Sequence, residues 1–203
     1  MYVSDDRDPS ESFPFFAFLS RMKYIQRWAL MRNTENENLC QHSFEVSVIA
    51  HALALIGNRL FEKHYDPGRV AVLALFHDAP EIFTGDMPTP AKYFTDEIKT
   101  AYSSLEGAST AKLINSLPEE LKKDYTDLIR TSRRDAELRK LVKAADKISA
   151  LIKCEEELKV GNREFAGAYD STLKKIEALG LPEVKYFMDN FFDAYSRNLD
   201  QLQ

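Results

Sequence analysis

Apolar residues in this chain recur at intervals of three and four, and the strict alternation that marks half-buried strands is almost absent. Such spacing gathers side chains onto one face of a helix, so the expected fold is all-α. The first pattern after a polar leader is a short aromatic helix bearing Phe15, Phe16, Phe18, Leu19, Met22 and Ile25. A loop is expected over 32–38, where three Asn favour turns. A long helix over 42–58 carries Val46, Ile49, Ala50 and Leu53 on one stripe, with Gly57 as its stop. The helix over 69–77 is apolar nearly all round, which predicts a central, buried position. Pro80, Gly85, Pro88 and Pro90 then impose a short helical turn and an irregular loop. Further helices are expected over 93–117, 118–129, 135–160, 163–179 and 182–199, the third capped by Asp135 and stopped by Gly161.

No repeat or linker divides the chain, whose 203 residues suit one domain. Residues 1–12 read as a polar, flexible leader and 13–203 as a single helical domain. With 32 acidic against 27 basic residues the net charge is −5, so a nucleic-acid polymer is not the expected partner. The leader lacks the basic-then-apolar order of a secretory signal. No span approaches the ~18 to 20 unbroken apolar residues that cross a bilayer. Cys40 and Cys154 are the only cysteines and lack metal-ligand spacing, which fits a reducing, cytoplasmic setting.

His77-Asp78 stands where an apolar helix meets a breaker-rich loop, presenting an imidazole and a carboxylate at the lip of the core. His42 shares its face with Val46, Ile49 and Leu53. Asp146 lies at the margin of the stripe Leu138, Val142, Ala145, Ser149 and Ile152, where a carboxylate needs a partner. Lys143 or Lys147 could supply it within the helix; so could a divalent cation held with both imidazoles and Asp78. His51 is nine residues beyond His42 and falls on the opposite side of its helix, and His64 reads as surface. Glu81, one turn after Asp78, brings a carboxylate back toward the same place. Asp86 is mounted between Gly85 and a proline-rich turn. The Glu155-Glu156-Glu157 run reads as a solvated helix face.

The order His42, His77-Asp78, Asp146 resembles the H…HD…D pattern of the HD-domain metal-dependent phosphohydrolases. Arg27-Trp28, His77 to Glu81, Thr84 to Pro90 and Val142 to Asp146 are similar to segments of the bacterial 5'-deoxynucleotidases within that superfamily. The resemblance implies an HD-type helical fold with one divalent ion (Co, Mn, Mg or Zn) on His42, His77, Asp78 and Asp146. It also implies catalytic roles for Glu81 and Asp86, and contacts to sugar and phosphate from Arg27, Trp28, Asp86, Met87, Pro88 and Thr89. Lys92 is a weaker phosphate candidate. The implied reaction is hydrolysis of deoxyribonucleoside 5'-monophosphates to deoxynucleoside and phosphate, with Trp28 disfavouring a ribose 2'-hydroxyl, in a homodimer. The aromatic cluster Tyr186, Phe187, Phe191, Phe192 and Tyr195 would face the core on one side and a second subunit on the other. The alternatives are hydrolysis of another nucleotide such as a (d)NTP, and an inactive metal-binding helical adaptor.

Overall fold

The computed structural model describes residues 12–130 and 132–203, and among them it is all-α. Of the polar leader only Ser12 falls within the described residues. The helices are α1 (Phe15–Leu19), α2 (Leu39–Leu60), α3 (Pro67–Leu75), α4 (Glu81–Thr84), α5 (Thr89–Lys92), α6 (Asp96–Asn115), α7 (Glu119–Ile129), α8 (Ala136–Lys159), α9 (Ala166–Glu177) and α10 (Pro182–Phe191). A 3-10 turn over Ser20–Tyr24 continues α1, and another over Phe192–Ser196 continues α10. The only extended pairing among the described residues is the antiparallel bridge Gln26–Asn38, which closes the loop between α1 and α2.

Helix α2 is the axis of the domain. It starts in a capping box, in which the Asn38 side chain accepts from the Cys40 and Gln41 backbone amides and Gln41 reaches back to the Asn38 amide. Val46, Ile49, Ala50 and Leu53 are buried against Val70, Leu73 and Ala74 of α3 and Leu141, Ala145, Ile148 and Ile152 of α8. By length and mean hydropathy α2 could cross a membrane, yet this stripe is the centre of the core. A second apolar cluster joins Phe15, Ala79, Leu113, Ile114, Leu117 and Ile129 beneath α1, α6 and α7.

Several expectations need correction. Gly57 does not stop α2, which runs on to Leu60; its missing side chain makes room for the Tyr65 ring, which lies 2.8 Å from where a Cβ would sit. Helix α3 is not buried all round: Val72 and Leu75 are 37% and 41% exposed. Asp135 precedes α8 without capping it, because Arg69 takes its carboxylate through Nη2 at 2.8 Å and Nε at 3.3 Å. Glu157 is not part of a solvated face. It is buried beside Lys153, and its carboxylate accepts from the Thr34 amide and hydroxyl and the Asn162 side chain, which ties the α1–α2 loop to α8. The carboxyl-terminal aromatics divide: Phe187 and Phe192 join the core, while Phe191 is 46% exposed.

Candidate active site

Three separate parts of the core deliver the site. His42 stands on the first turn of α2 with its ring fully buried. His77 and Asp78 follow the end of α3, where His77 Nδ1 donates to the last-turn carbonyl of Ala74 at 2.7 Å. That bond fixes the proton on Nδ1 and turns the Nε2 lone pair inward. Asp146 projects from the middle of α8.

The four side chains converge. His42 Nε2 lies 3.2 Å from Asp146 Oδ1 and 3.6 Å from Asp78 Oδ2, and His77 Nε2 lies 3.1 Å from Asp78 Oδ2. Ligand atoms of His42, His77 and Asp146 fall within 4.8 Å of one another. Both Nε2 atoms are buried without a hydrogen-bond partner, an arrangement that costs free energy unless something accepts their lone pairs. Two imidazoles and two carboxylates suit a divalent first-row ion, so the donor set fits one. No ion pair joins Asp146 to Lys143 or Lys147 among the described residues. His51 and His64 are exposed.

The electrostatics follow from crowding charge into a dry place. Burial opposes ionisation of Asp146, but the close approach of His42 and the pull of His77 and Arg27 outweigh it and hold the carboxylate well below its usual range. Burial also opposes charge on His77, against the pull of the Asp78 and Asp146 carboxylates, which favour it. His42 is lowered by burial and by the Arg27 guanidinium. Burial, reinforced by the charges of Asp78 and Asp86, pushes Glu81 up to about 9; one of its oxygens is buried and unpartnered. Asp86 is raised by burial against the pull of Arg27.

These groups open into one cleft of about 1080 Å³. Asp78, Asp146, Glu81 and Asp86 line it together with Arg27 and Trp28. Met87, Pro88 and Thr89 form the adjoining rim. The structure thus brings every expected site residue to one place, His42 and His77 joining it through Asp78 and Asp146. Lys92 reaches the rim too, but its ammonium is engaged by Glu106 at 2.8 Å and sits over the Tyr102 ring.

Trp28 is held in a backbone conformation unusual for a bulky residue, φ 61°, which costs ~1–2 kcal/mol that its contacts must offset. Its carbonyl accepts from the Met31 amide at 2.8 Å, its ring packs on Phe165, and its indole N–H donates to Glu37 at 2.9 Å.

Three supporting residues escaped the sequence reading: Glu37, Glu45 and Ser149. Ser149 left a trace, being a hydroxyl within an apolar stripe, and such a group needs a partner. Glu37 and Glu45 left none, since a carboxylate beside a helix start or on a helix flank is ordinarily solvated.

Residues 14–195 match the family model described as "5'-deoxynucleotidase YfbR-like". The chain is 46% identical to a 5'-deoxynucleotidase of Pectobacterium atrosepticum, the match covering 93% of this chain and 94% of the relative. It is 45% identical to one of Vibrio vulnificus, covering 93% and 97%. Among solved structures, an HD-domain phosphohydrolase from Listeria innocua superposes with a TM-score of 0.77 at 25% identity, covering 89% of this chain and 87% of that one. The HD phosphohydrolase DatZ of cyanophage S-2L, described as bound to dA and one catalytic Zn2+ ion, shares the fold with a TM-score of 0.62 at 18% identity, covering 95% and 99%.

Proposed function

The chain belongs to the YfbR-like 5'-deoxynucleotidases, hydrolases of the HD-domain class, and from that premise we propose that it cleaves deoxyribonucleoside 5'-monophosphates to deoxynucleoside and phosphate and rejects ribonucleotides. The carrying observation is the convergence of His42, His77, Asp78 and Asp146 beneath a cleft walled by Arg27, Trp28, Glu81 and Asp86.

His42, His77, Asp78 and Asp146 hold the divalent ion. When bound, the ion supplies Lewis acidity toward the phosphate and toward a water molecule. From the cleft wall it shares with Asp78 and Asp86, Glu81 orients the attacking water and takes its proton. As the water oxygen bonds to phosphorus, the bond from phosphorus to the 5'-oxygen breaks, and Asp86 gives that oxygen a proton. Burial, which raises Asp86, favours the protonated form that this step requires. Arg27 steadies the phosphoryl oxygens with its planar fork. Trp28 crowds the sugar where a 2'-hydroxyl would stand, and Met87, Pro88 and Thr89 flank sugar and phosphate. With contacts confined to these parts of the substrate, the base is weakly read.

The test strips the protein with chelator, reloads it with Mn, Co, Mg or Zn, and follows phosphate release from dAMP, AMP, dATP and a cyclic dinucleotide. Metal-restored cleavage of dAMP with AMP much poorer is expected. Equal rates on dAMP and AMP would remove the role given to Trp28. A second reading, hydrolysis of a (d)NTP, draws on Lys143, Lys147 and Lys175 along the same cleft, and faster turnover of dATP than dAMP would select it. We place the enzyme in the cytoplasm, in keeping with two free cysteines, and as a homodimer, for which the exposed Phe191 offers apolar surface.

A further inference from the structure

We propose that Glu37 is a positioning residue for sugar selection, coupling Arg27 to Trp28 through a single carboxylate oxygen. This rests on the reading that Trp28 excludes the 2'-hydroxyl. Glu37 Oε2 accepts from Arg27 Nη1 at 2.8 Å and from Trp28 Nε1 at 2.9 Å. The Glu37 side chain is 13% exposed and that of Arg27 11%, so little water competes for these charge-assisted bonds. The backbones are joined as well: the Arg27 amide donates to the Glu37 carbonyl at 2.9 Å, next to the Gln26–Asn38 bridge. Glu37 therefore cannot shift without carrying Arg27 along.

Phe165 supports the indole by packing, and the Met31 amide and Asn33 side chain hold the Trp28 carbonyl. None of these reads the polar edge of the ring. Only Glu37 does so among the described residues, and it thereby sets how far the indole reaches toward the sugar. Because one oxygen serves both donors, the phosphate-binding fork and the sugar wall keep a fixed spacing. A 2'-hydroxyl is excluded only when the phosphate is seated on Arg27 and the wall is simultaneously in place, and Glu37 makes those two conditions one.

The experiment compares metal-loaded wild type with Glu37→Ala, Glu37→Gln and Trp28→Phe, measuring kcat and KM on dAMP and AMP together with tryptophan emission. Trp28 is the sole tryptophan, so emission and its quenching by acrylamide report the ring directly. Glu37→Ala should lower the dAMP-to-AMP ratio of kcat/KM by about tenfold or more and raise quenching. Glu37→Gln, whose amide oxygen still accepts, should keep the ratio within about threefold. If Trp28→Phe collapses the ratio while Glu37→Ala leaves it and the quenching at wild-type values, Glu37 has no such role and the reading of Trp28 stands. If Trp28→Phe also leaves the ratio intact, that reading fails and takes this one with it. Should Glu37→Ala not fold, hydrogen exchange of the indole N–H in wild type decides: protection supports the bond to Glu37, and exchange at the rate of a free indole overturns it.

Discussion

Ser149 Oγ lies 3.0 Å from His42 Nδ1, on the side of the imidazole facing away from Asp78 and Asp146, and donates its own proton to Glu45 at 2.6 Å. For His42 to present Nε2 to a cation, the ring proton must sit on Nδ1. Arg27 Nη1, 2.8 Å from the same atom, can only donate and so favours the opposite tautomer, which leaves the serine hydroxyl as the acceptor available to the metal-binding one. Ser149→Ala should weaken metal affinity by about 10- to 100-fold, measured by competition with a chromophoric chelator. Unchanged affinity would mean that the tautomer is set elsewhere.

Glu81→Ala should lower kcat on dAMP by about 10²- to 10⁴-fold, the range of a lost general base, with the metal content of the purified protein unaltered. Turnover that survives the substitution would assign the water's proton to another group.

Gly85 precedes Asp86 at φ 73° and ψ 166°, a region that is essentially glycine's alone. A side chain there meets open space, so Gly85→Ala should act through backbone strain, costing ~1–3 kcal/mol in chemical denaturation. If Asp86 is the proton donor, the same variant should also lose kcat, because relief of the strain re-aims the neighbouring carboxylate.

Glu157 gives the protein an acid-sensitive tie. Although burial opposes its charge, bonds from Lys153, Thr34 and Asn162 hold its carboxyl down at about 2, against 4.5 when free. A depressed carboxylate adds stability that is fully present above the unfolded value and is lost as pH falls from about 4.5 toward 2. Replacing it by Ala strands the buried Lys153 and should cost about 3–5 kcal/mol at neutral pH. Urea midpoints of wild type and Glu157→Ala should therefore draw together as pH falls from about 4.5 toward 2; a pH-independent gap would show that the tie is not electrostatic.

Fold class was legible because helical periodicity is written in side chains that must be buried whatever the neighbours do: Val46, Ile49 and Leu53 on α2, Val142, Ala145 and Ile152 on α8. Helix ends were less so. Gly57 resembles a stop, and only the approach of Tyr65, from beyond the helix, shows why the position must be small. Asp135 resembles a cap until Arg69 arrives from another element. At the site, His42, His77, Asp78 and Asp146 stood out because ionisable groups beside apolar stripes demand partners. Glu37 and Glu157 did not, for their burial is decided by how the loop over 25–38 folds across α2 and α8, and no local pattern encodes that crossing.

The four groups that meet beside the cleft are anchored in α2, at the exit of α3 and in α8, the helices whose apolar faces make the main core. Melting that core scatters them, so capture of an ion and persistence of the native chain are thermodynamically linked. At a free ion concentration 100 times the dissociation constant, the linkage is worth about 2.7 kcal/mol. A cell short of the right ion would then hold less of this protein, since an apo form opens more often and meets proteases sooner.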